Sequence, residues 1–392
     1  MATVSRSTKS RKPRTTSNVA HITPAVLSWA IERGGYSYEK LAKRLRVDVQ
    51  QLKNWEQGMP PPFSKAEDLA NLLRIPFGYL YLAAPPDADL PLPDMRRLET
   101  SYRPTQNFLD LLSDVLVRQD WYRDYLLELA EPQLDFVGKF NASSAVEDVA
   151  DDIRRTLGVG SRFRRGVRDW DAYGAALSER AEASRILVMR SSLVGNDTTR
   201  PISVNEVQGF ALADDIAPVV FVNAADFAAP RVFTLAHELA HIWIGQSAVS
   251  NPDQGEATLN RIEMFCNRVA TEVLVPQSEF VSAWRTASRA SARVESLTRV
   301  FWVSALVIIR RARELHIVSR AEADALRKEA IAAQRPRTRK GGDYYRNATV
   351  RAGHRFTDAV VTEVGGGNLT FAHAGRLLGM TAHSVVKLAS VS

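Results

Sequence analysis

The chain has 392 residues, 45% hydrophobic and 24% charged, with a net charge of +7. That is apolar material for two or three folded domains, which excludes a chain disordered as a whole. The single cysteine, Cys266, excludes a disulfide scaffold and a thiolate-built zinc finger. Apolar runs such as Ile216–Val222 fall far short of the ~18 residues that a membrane span needs. Residues 1–20 are basic and rich in Ser and Thr without an apolar stretch, so no secretory signal is expected and the expected compartment is a reducing cytoplasm.

The charge is unevenly placed. Residues 1–20 carry +5, residues 335–355 carry +6, and the remainder of the chain is mildly acidic. Both basic segments suit contact with nucleic-acid phosphates, and both suit a solvated tail and linker.

Residues 1–20 lack any hydrophobic period and read as a disordered basic tail. From residue 21 to 82 the pattern is short-pitched and helical. Thr23-Pro24 reads as an N-cap with a first-turn proline, and Val26, Leu27, Ala30 and Ile31 follow at helical spacing. Ser37 is placed to cap a second helix with Leu41, Ala42 and Leu45 on its apolar face, and Asp48 to cap a third, Val49–Glu56, ending at Gly58. Helices over Lys65–Leu73 and Phe77–Leu82 complete this domain. Residues 83–106 form a proline-rich linker. Three amphipathic helices follow, over Phe108–Leu129, Val146–Leu157 and Trp170–Ala183. The period then shortens, and Ile186–Met189, Val207–Leu212 and Val219–Val222 read as strands. Helices resume near Arg231 and run to about Ala333. Residues 334–343 are a basic linker, and residues 344–392 a small helical unit.

The sharpest motif is His237-Glu238-Leu239-Ala240-His241. Leu235, Leu239 and Ile242 mark the apolar face of one helix, Ala236 and Ala240 keep it slim, and Gly245 stops it. Histidines at i and i+4 share a face about one turn apart, so two imidazole nitrogens reach one tetrahedral zinc ion. Glu238 faces the same cleft, placed to take a proton from water. A catalytic site of this kind needs a third protein ligand. Glu263 lies on a later helix with Asn267 one turn on, where Asn267 can hydrogen-bond a ligand histidine and fix its tautomer. Glu256 and Glu272 compete for the ligand role. Glu272 lies nine residues beyond Glu263, on the opposite side of a straight helix. Cys266 reads as small core filling.

The segments Val207-Gln208-Gly209-Phe210, Pro218–Asn223, Arg231–Gly245, and Ile262-Glu263 through Cys266-Asn267-Arg268 to Leu274-Val275-Pro276 resemble the ImmA/IrrE metallopeptidases over about residues 150–320. The resemblance implies a gluzincin-like site in which His237, His241 and Glu263 bind zinc and Glu238 is the base. It also implies a substrate among helix-turn-helix repressors or antitoxins. Manganese is the alternative metal. Val303-Ser304, opening Ala305–Leu315, resembles the helical region behind such sites. Val219–Val222 reads equally as an edge strand able to pair with an extended substrate and as an interior strand.

Residues 21–82 resemble the XRE, or lambda-repressor-like, helix-turn-helix. Ser37–Leu45, Val47, Leu52, Trp55-Glu56 and Gly58 carry the likeness. It places the helix after Asp48 in the major groove, with Gln50, Gln51, Lys53 and Asn54 as contacts to bases or phosphates. Arg46 stands where glycine is usual, and Tyr38 where Gln is common. A degenerate fold used for protein pairing is the alternative. Leu369–Leu388 also reads as helix, glycine-containing turn and helix, either a second motif of this kind or a hairpin docked on the peptidase.

The expected fold is therefore mainly α with a small β-sheet: an N-terminal helix-turn-helix bundle, an α+β gluzincin-like metallopeptidase core over residues 107–333 with its leading helices, and a small helical C-terminal unit. The expected function is a cytoplasmic zinc endopeptidase that cleaves a DNA-binding repressor or antitoxin and carries a domain for DNA or partner recognition. Homodimerisation is an open expectation. The alternative is a DNA-binding regulator or antitoxin whose peptidase-like domain is a sensor.

Overall fold

A computed structural model describes residues 19–34, 36–73, 75–86, 104–250, 261–285, 290–332 and 344–390. The basic tail expected over residues 1–20 lies almost wholly outside them. So do most of the proline-rich linker, the basic linker at 334–343, and Glu256. The chain divides into two compact units, residues 1–89 and 90–392. No described helix is long and apolar enough to cross a membrane.

The first unit is a bundle of α1 (Pro24–Gly34), α2 (Tyr38–Leu45), α3 (Val49–Glu56) and α4 (Phe63–Leu73), closed by a 3₁₀ turn over Phe77–Tyr81. Leu27, Leu41, Leu45, Leu52, Leu69 and Leu80 are fully buried in its core. The Ser37 hydroxyl accepts from the Lys40 amide at 3.4 Å and starts α2. Asp48 starts α3 with a reciprocal cap: its carboxylate accepts from the Gln50 amide at 3.0 Å, and Gln51 Oε1 accepts from the Asp48 amide at 3.1 Å. Between the two helices Arg46 adopts φ 55°, the left-handed conformation that glycine takes without strain. An Arg there costs about 1 kcal/mol.

The second unit opens with α5 (Gln106–Glu128), α6 (Val146–Leu157), α7 (Ser161–Arg165) and α8 (Trp170–Ala183). The strands β1 (Leu187–Ser191), β2 (Gly209–Leu212) and β3 (Val219–Asn223) lead into α9 (Ala228–Trp243), which is followed by β4 (Ala248–Ser250). Next come α10 (Arg261–Leu274), α11 (Gln277–Arg285), α12 (Ala290–Phe301), α13 (Ala305–Glu314) and α14 (Arg320–Ala332). The chain ends in α15 (Tyr344–Ala352), α16 (His354–Gly365), α17 (Phe371–Leu378) and α18 (Ala382–Ala389). Mainly helical with a small mixed sheet, the architecture is the one expected.

The sheet order is β1-β3-β2-β4, with β1 and β3 parallel and the other pairs antiparallel. Side-chain alternation explains how both faces are covered. Val188, Ala211, Val220 and Val222 enter the core formed with α6, α8, α9 and α10. Leu187, Met189, Phe210, Leu212, Val219 and Phe221 enter a second core formed with α5 and the C-terminal helices. The C-terminal helices therefore share a core with the sheet.

Of the two readings left open for Val219–Val222, the interior one holds. The segment Val219–Val222 is not an edge: β3 pairs with β1 on one side and β2 on the other and is buried throughout. The strand β4, absent from the sequence reading, is the edge beside β2 among the described residues, and each of its residues is half-buried.

Candidate metal centre

Helix α9 is buried from Thr234 to Trp243. Leu235, Ala236, Leu239, Ala240 and Ile242 fill the space around it. Its C-terminal end is closed by an earlier segment: the Gly138 and Phe140 amides donate to the Ile242 and Trp243 carbonyls, each at 3.1 Å. Gly245 then turns the chain with φ +65°, and a side chain there would meet Gly138 Cα at 2.9 Å. Trp243 stacks on Phe136 with centroids 4.4 Å apart and donates its indole N–H to buried Asp152 at 2.9 Å. These contacts fix the rotation of α9 about its axis.

That rotation brings three side chains together. His237 Nε2 and His241 Nε2 lie 3.1 Å apart. Glu263, from α10, places Oε2 at 3.1 Å from His237 Nε2 and Oε1 at 3.3 Å from His241 Nε2. These three side chains are the one cluster of possible metal ligands among the described residues. A tetrahedral zinc with nitrogen ligands at about 2.0–2.1 Å has edges of about 3.3 Å between donor atoms, so the donor set fits that ion. Two imidazole nitrogens at 3.1 Å also repel through their lone pairs unless a proton or cation stands between them. Glu263 keeps 12% of its side chain exposed, so the cluster borders solvent.

The electrostatics agree with this packing. Burial pushes Glu263 towards its neutral form, but hydrogen bonds and charge from His237 and His241 outweigh it and hold the carboxyl well below its ordinary range. Burial would depress His237, yet Glu263, Glu238 and the Asn267 amide together raise it. Asn267 lies close enough to His237 to contribute to that rise.

Glu238 is fully buried beside the cluster. Its Oε1 accepts from the Ser250 hydroxyl at 2.6 Å, and its Oε2 has no hydrogen-bond partner among the described residues. Burial pushes its carboxyl up to about 8, with His237 and Ser250 pulling back. Gly209 makes room for it, because a side chain there would meet Thr234 Cγ2 at 2.5 Å, the Phe221 carbonyl at 2.8 Å and Glu238 Oε1 at 2.9 Å. Sequence reasoning missed both Ser250 and Gly209 as site residues. The glycine opening β2 was the available signal, since a glycine inside a strand marks a close approach.

The competitor Glu272 is elsewhere. It is buried in an ion pair with Arg311 of α13 and accepts from the Gln277 amide at 3.1 Å. Cys266 is buried, and its thiol is pushed up by burial and by Glu263 and Glu238.

Comparison with known families follows this division of the chain. Residues 181–313 match the IrrE N-terminal-like domain of the peptidase M78 family. Residues 27–80 match the helix-turn-helix family. The chain thus pairs a helix-turn-helix domain with an IrrE-like, peptidase-type domain, as the resemblance implied. No curated protein gives a significant match.

In the helix-turn-helix domain, Gln50, Gln51 and Lys53 are exposed on α3 and Asn54 is half-buried. Gln51 serves the Asp48 cap, Gln50 donates to Asn54 Oδ1 at 3.1 Å, and the Lys53 ammonium sits 5.9 Å from the Tyr38 ring centre.

Proposed function

We propose that this protein is a zinc-dependent endopeptidase of the cytoplasm that cleaves a DNA-binding repressor or antitoxin, and that its helix-turn-helix domain recognises DNA or that partner. The observation that carries the reading is the convergence of His237, His241 and Glu263 beside a buried Glu238 whose Oε2 has no hydrogen-bond partner among the described residues. His237, His241 and Glu263 hold the metal, with manganese as the alternative ion. Bound zinc supplies Lewis acidity, which polarises a carbonyl and acidifies water.

The remaining steps belong to the chain. Glu238 takes a proton from the attacking water at Oε2 and delivers it to the leaving amine. Ser250 holds Oε1, so the carboxylate keeps one orientation through both transfers. Asn267 steadies the His237 ring. The edge of β4, which carries Ser250, offers backbone groups with which an extended substrate segment pairs. On α3, Gln50, Gln51, Lys53 and Asn54 are the contacts to DNA.

The test uses purified protein, zinc and a helix-turn-helix repressor or antitoxin encoded beside this chain. Intact-mass spectrometry should show two fragments with the wild type. It should show none after chelation or with Glu238→Gln, which still carries about one zinc per chain. A wild type that takes up no zinc refutes the reading.

A further inference from the structure

Two pairs of short helices in this chain share one local geometry, α2 with α3 and α17 with α18. Helices α2 and α3 have eight residues each, and so do α17 and α18. In the first pair Ser37 caps α2, Arg46 turns the chain with φ 55°, and Asp48 caps α3. In the second pair Thr370 caps α17, Gly379 turns the chain with φ +66°, and Thr381 caps α18. The backbone hydrogen bonds that close the two turns match. The Val47 amide donates to the Ala42 carbonyl at 3.0 Å, and the Met380 amide donates to the Gly375 carbonyl at 2.8 Å. A side chain at Gly375 would meet the Met380 carbonyl at 2.7 Å, so only glycine lets the turn close this tightly.

The junction of α12 and α13 shares the left-handed residue and the cap, and it contrasts an exposed second helix with a buried one. Trp302, with φ 54°, and the cap Ser304 join α12 to α13. There the second helix is part of the core: Val307, Ile308, Ile309, Arg311 and Ala312 are all buried. Helix α3 buries only Leu52 and Trp55. Helix α18 buries only Val385, at the position equivalent to Leu52. His383, Val386 and Lys387 are exposed on it. Two polar side chains anchor the turn from the other side: Arg118 Nε donates to the Leu377 carbonyl at 2.8 Å, and Asn196 donates to the Gly379 carbonyl. The motif is held rigidly while its second helix stays uncovered.

Charge selects the occupant. Residues 364–392 contain no Asp or Glu, while Arg376 and Lys387 are both exposed. We propose that α17 and α18 form a second helix-turn-helix that binds double-stranded DNA, with α18 in the major groove. His383 and Ser384 contact base edges, Val386 packs on a thymine methyl, and Arg376 and Lys387 contact phosphates. With the DNA contacts proposed for α3, one chain then carries two readers. This goes beyond the peptidase reading and does not depend on it.

The experiment selects bound duplexes from a random library with the full chain, then maps protection of the selected DNA. Wild type should protect two patches. Lys387→Glu should lose one patch, raise Kd at least tenfold and lower the salt slope by about one. Lys53→Glu should lose the other patch. Lys387→Gln and a melting curve guard against misfolding, and the milder variant should show the same change in salt slope. The proposal is overturned if Lys387→Glu keeps both the footprint and the affinity. It is equally overturned if affinity falls without a change in footprint or salt slope, if the chain selects no duplex, or if α18 variants alter only self-association in sedimentation.

Discussion

Gly209→Ala tests whether the position of Glu238 is set by the sheet. The added methyl group would stand 2.5 Å from Thr234 Cγ2, 2.8 Å from the Phe221 carbonyl oxygen and 2.9 Å from Glu238 Oε1. The carbonyl belongs to β3, whose pairing with β2 runs Gly209 to Val222 and Phe210 to Phe221, so it moves only if the ladder opens. Thr234 is buried in α9 and has little room to turn. Relief must come largely from Glu238, which then gives up its 2.6 Å bond from Ser250. Overpacking of this kind costs about 1–3 kcal/mol. For a unit of this size that lowers Tm by roughly 2–6 °C. Calorimetry reads the first effect. Elemental analysis should find zinc retained, because none of the three ligand side chains is touched. Substrate cleavage should fall at least tenfold, which corresponds to about 1.4 kcal/mol in the barrier. Gly365→Ala is the control: nothing lies within 4 Å of a side chain there, and its Tm should hold or rise. A Gly209→Ala protein with wild-type Tm and wild-type cleavage would refute the argument.

Three further outcomes are expected. His237→Ala and Glu263→Gln should each lose zinc in elemental analysis, whereas Glu238→Gln should keep it and lose roughly 10²–10⁴-fold in cleavage rate. Glu182 accepts from the Arg355 amide at 3.3 Å at the start of α16, and burial pushes its carboxyl up to about 7 from an ordinary 4.5. The folded protein therefore binds a proton between those values that the unfolded chain has released. Stability should fall by about 3 kcal/mol as pH rises from 4.5 to 7 and stay level above, and Glu182→Gln should flatten that slope in urea titrations across pH. Arg46→Gly should relieve the left-handed strain between α2 and α3, raising hydrogen-exchange protection of their amides about fivefold, or about 1 kcal/mol.

The helices that hold the site were legible because their signals are local. Thr105, Asp169 and Ser304 cap α5, α8 and α13, and Gly158 and Gly245 close α6 and the α9 region with positive φ. The histidine pair needs only the pitch of one helix. Its meeting with Glu263 needs two helices, and the separation of Glu263 and Glu272 on α10 was enough to choose between them. Glu272 faces Arg311 while Glu263 faces the histidines, as a nine-residue offset on a straight helix requires.

What the sequence hid is the pairing within the sheet and its fourth strand, and the reason bears on the chemistry. Strand β4 is three residues long, too short for a period, and its flank 251–260 lies outside the described residues. Its pairing with β2 sets Ser250 opposite Gly209, and that register puts the serine hydroxyl and the missing glycine side chain on the same carboxylate. Strand β3 was open to reading as an edge because Val-Val-Phe-Val shows only that both its faces are apolar, and says nothing of its two sides. Pairing partners come from contacts between residues far apart in the chain, which no local pattern reports. If Glu238 is the base, as proposed, β2 and β4 decide which of its oxygens is held and which is left to accept a proton. A substitution in the sheet that leaves every ligand in place should therefore separate metal binding from turnover.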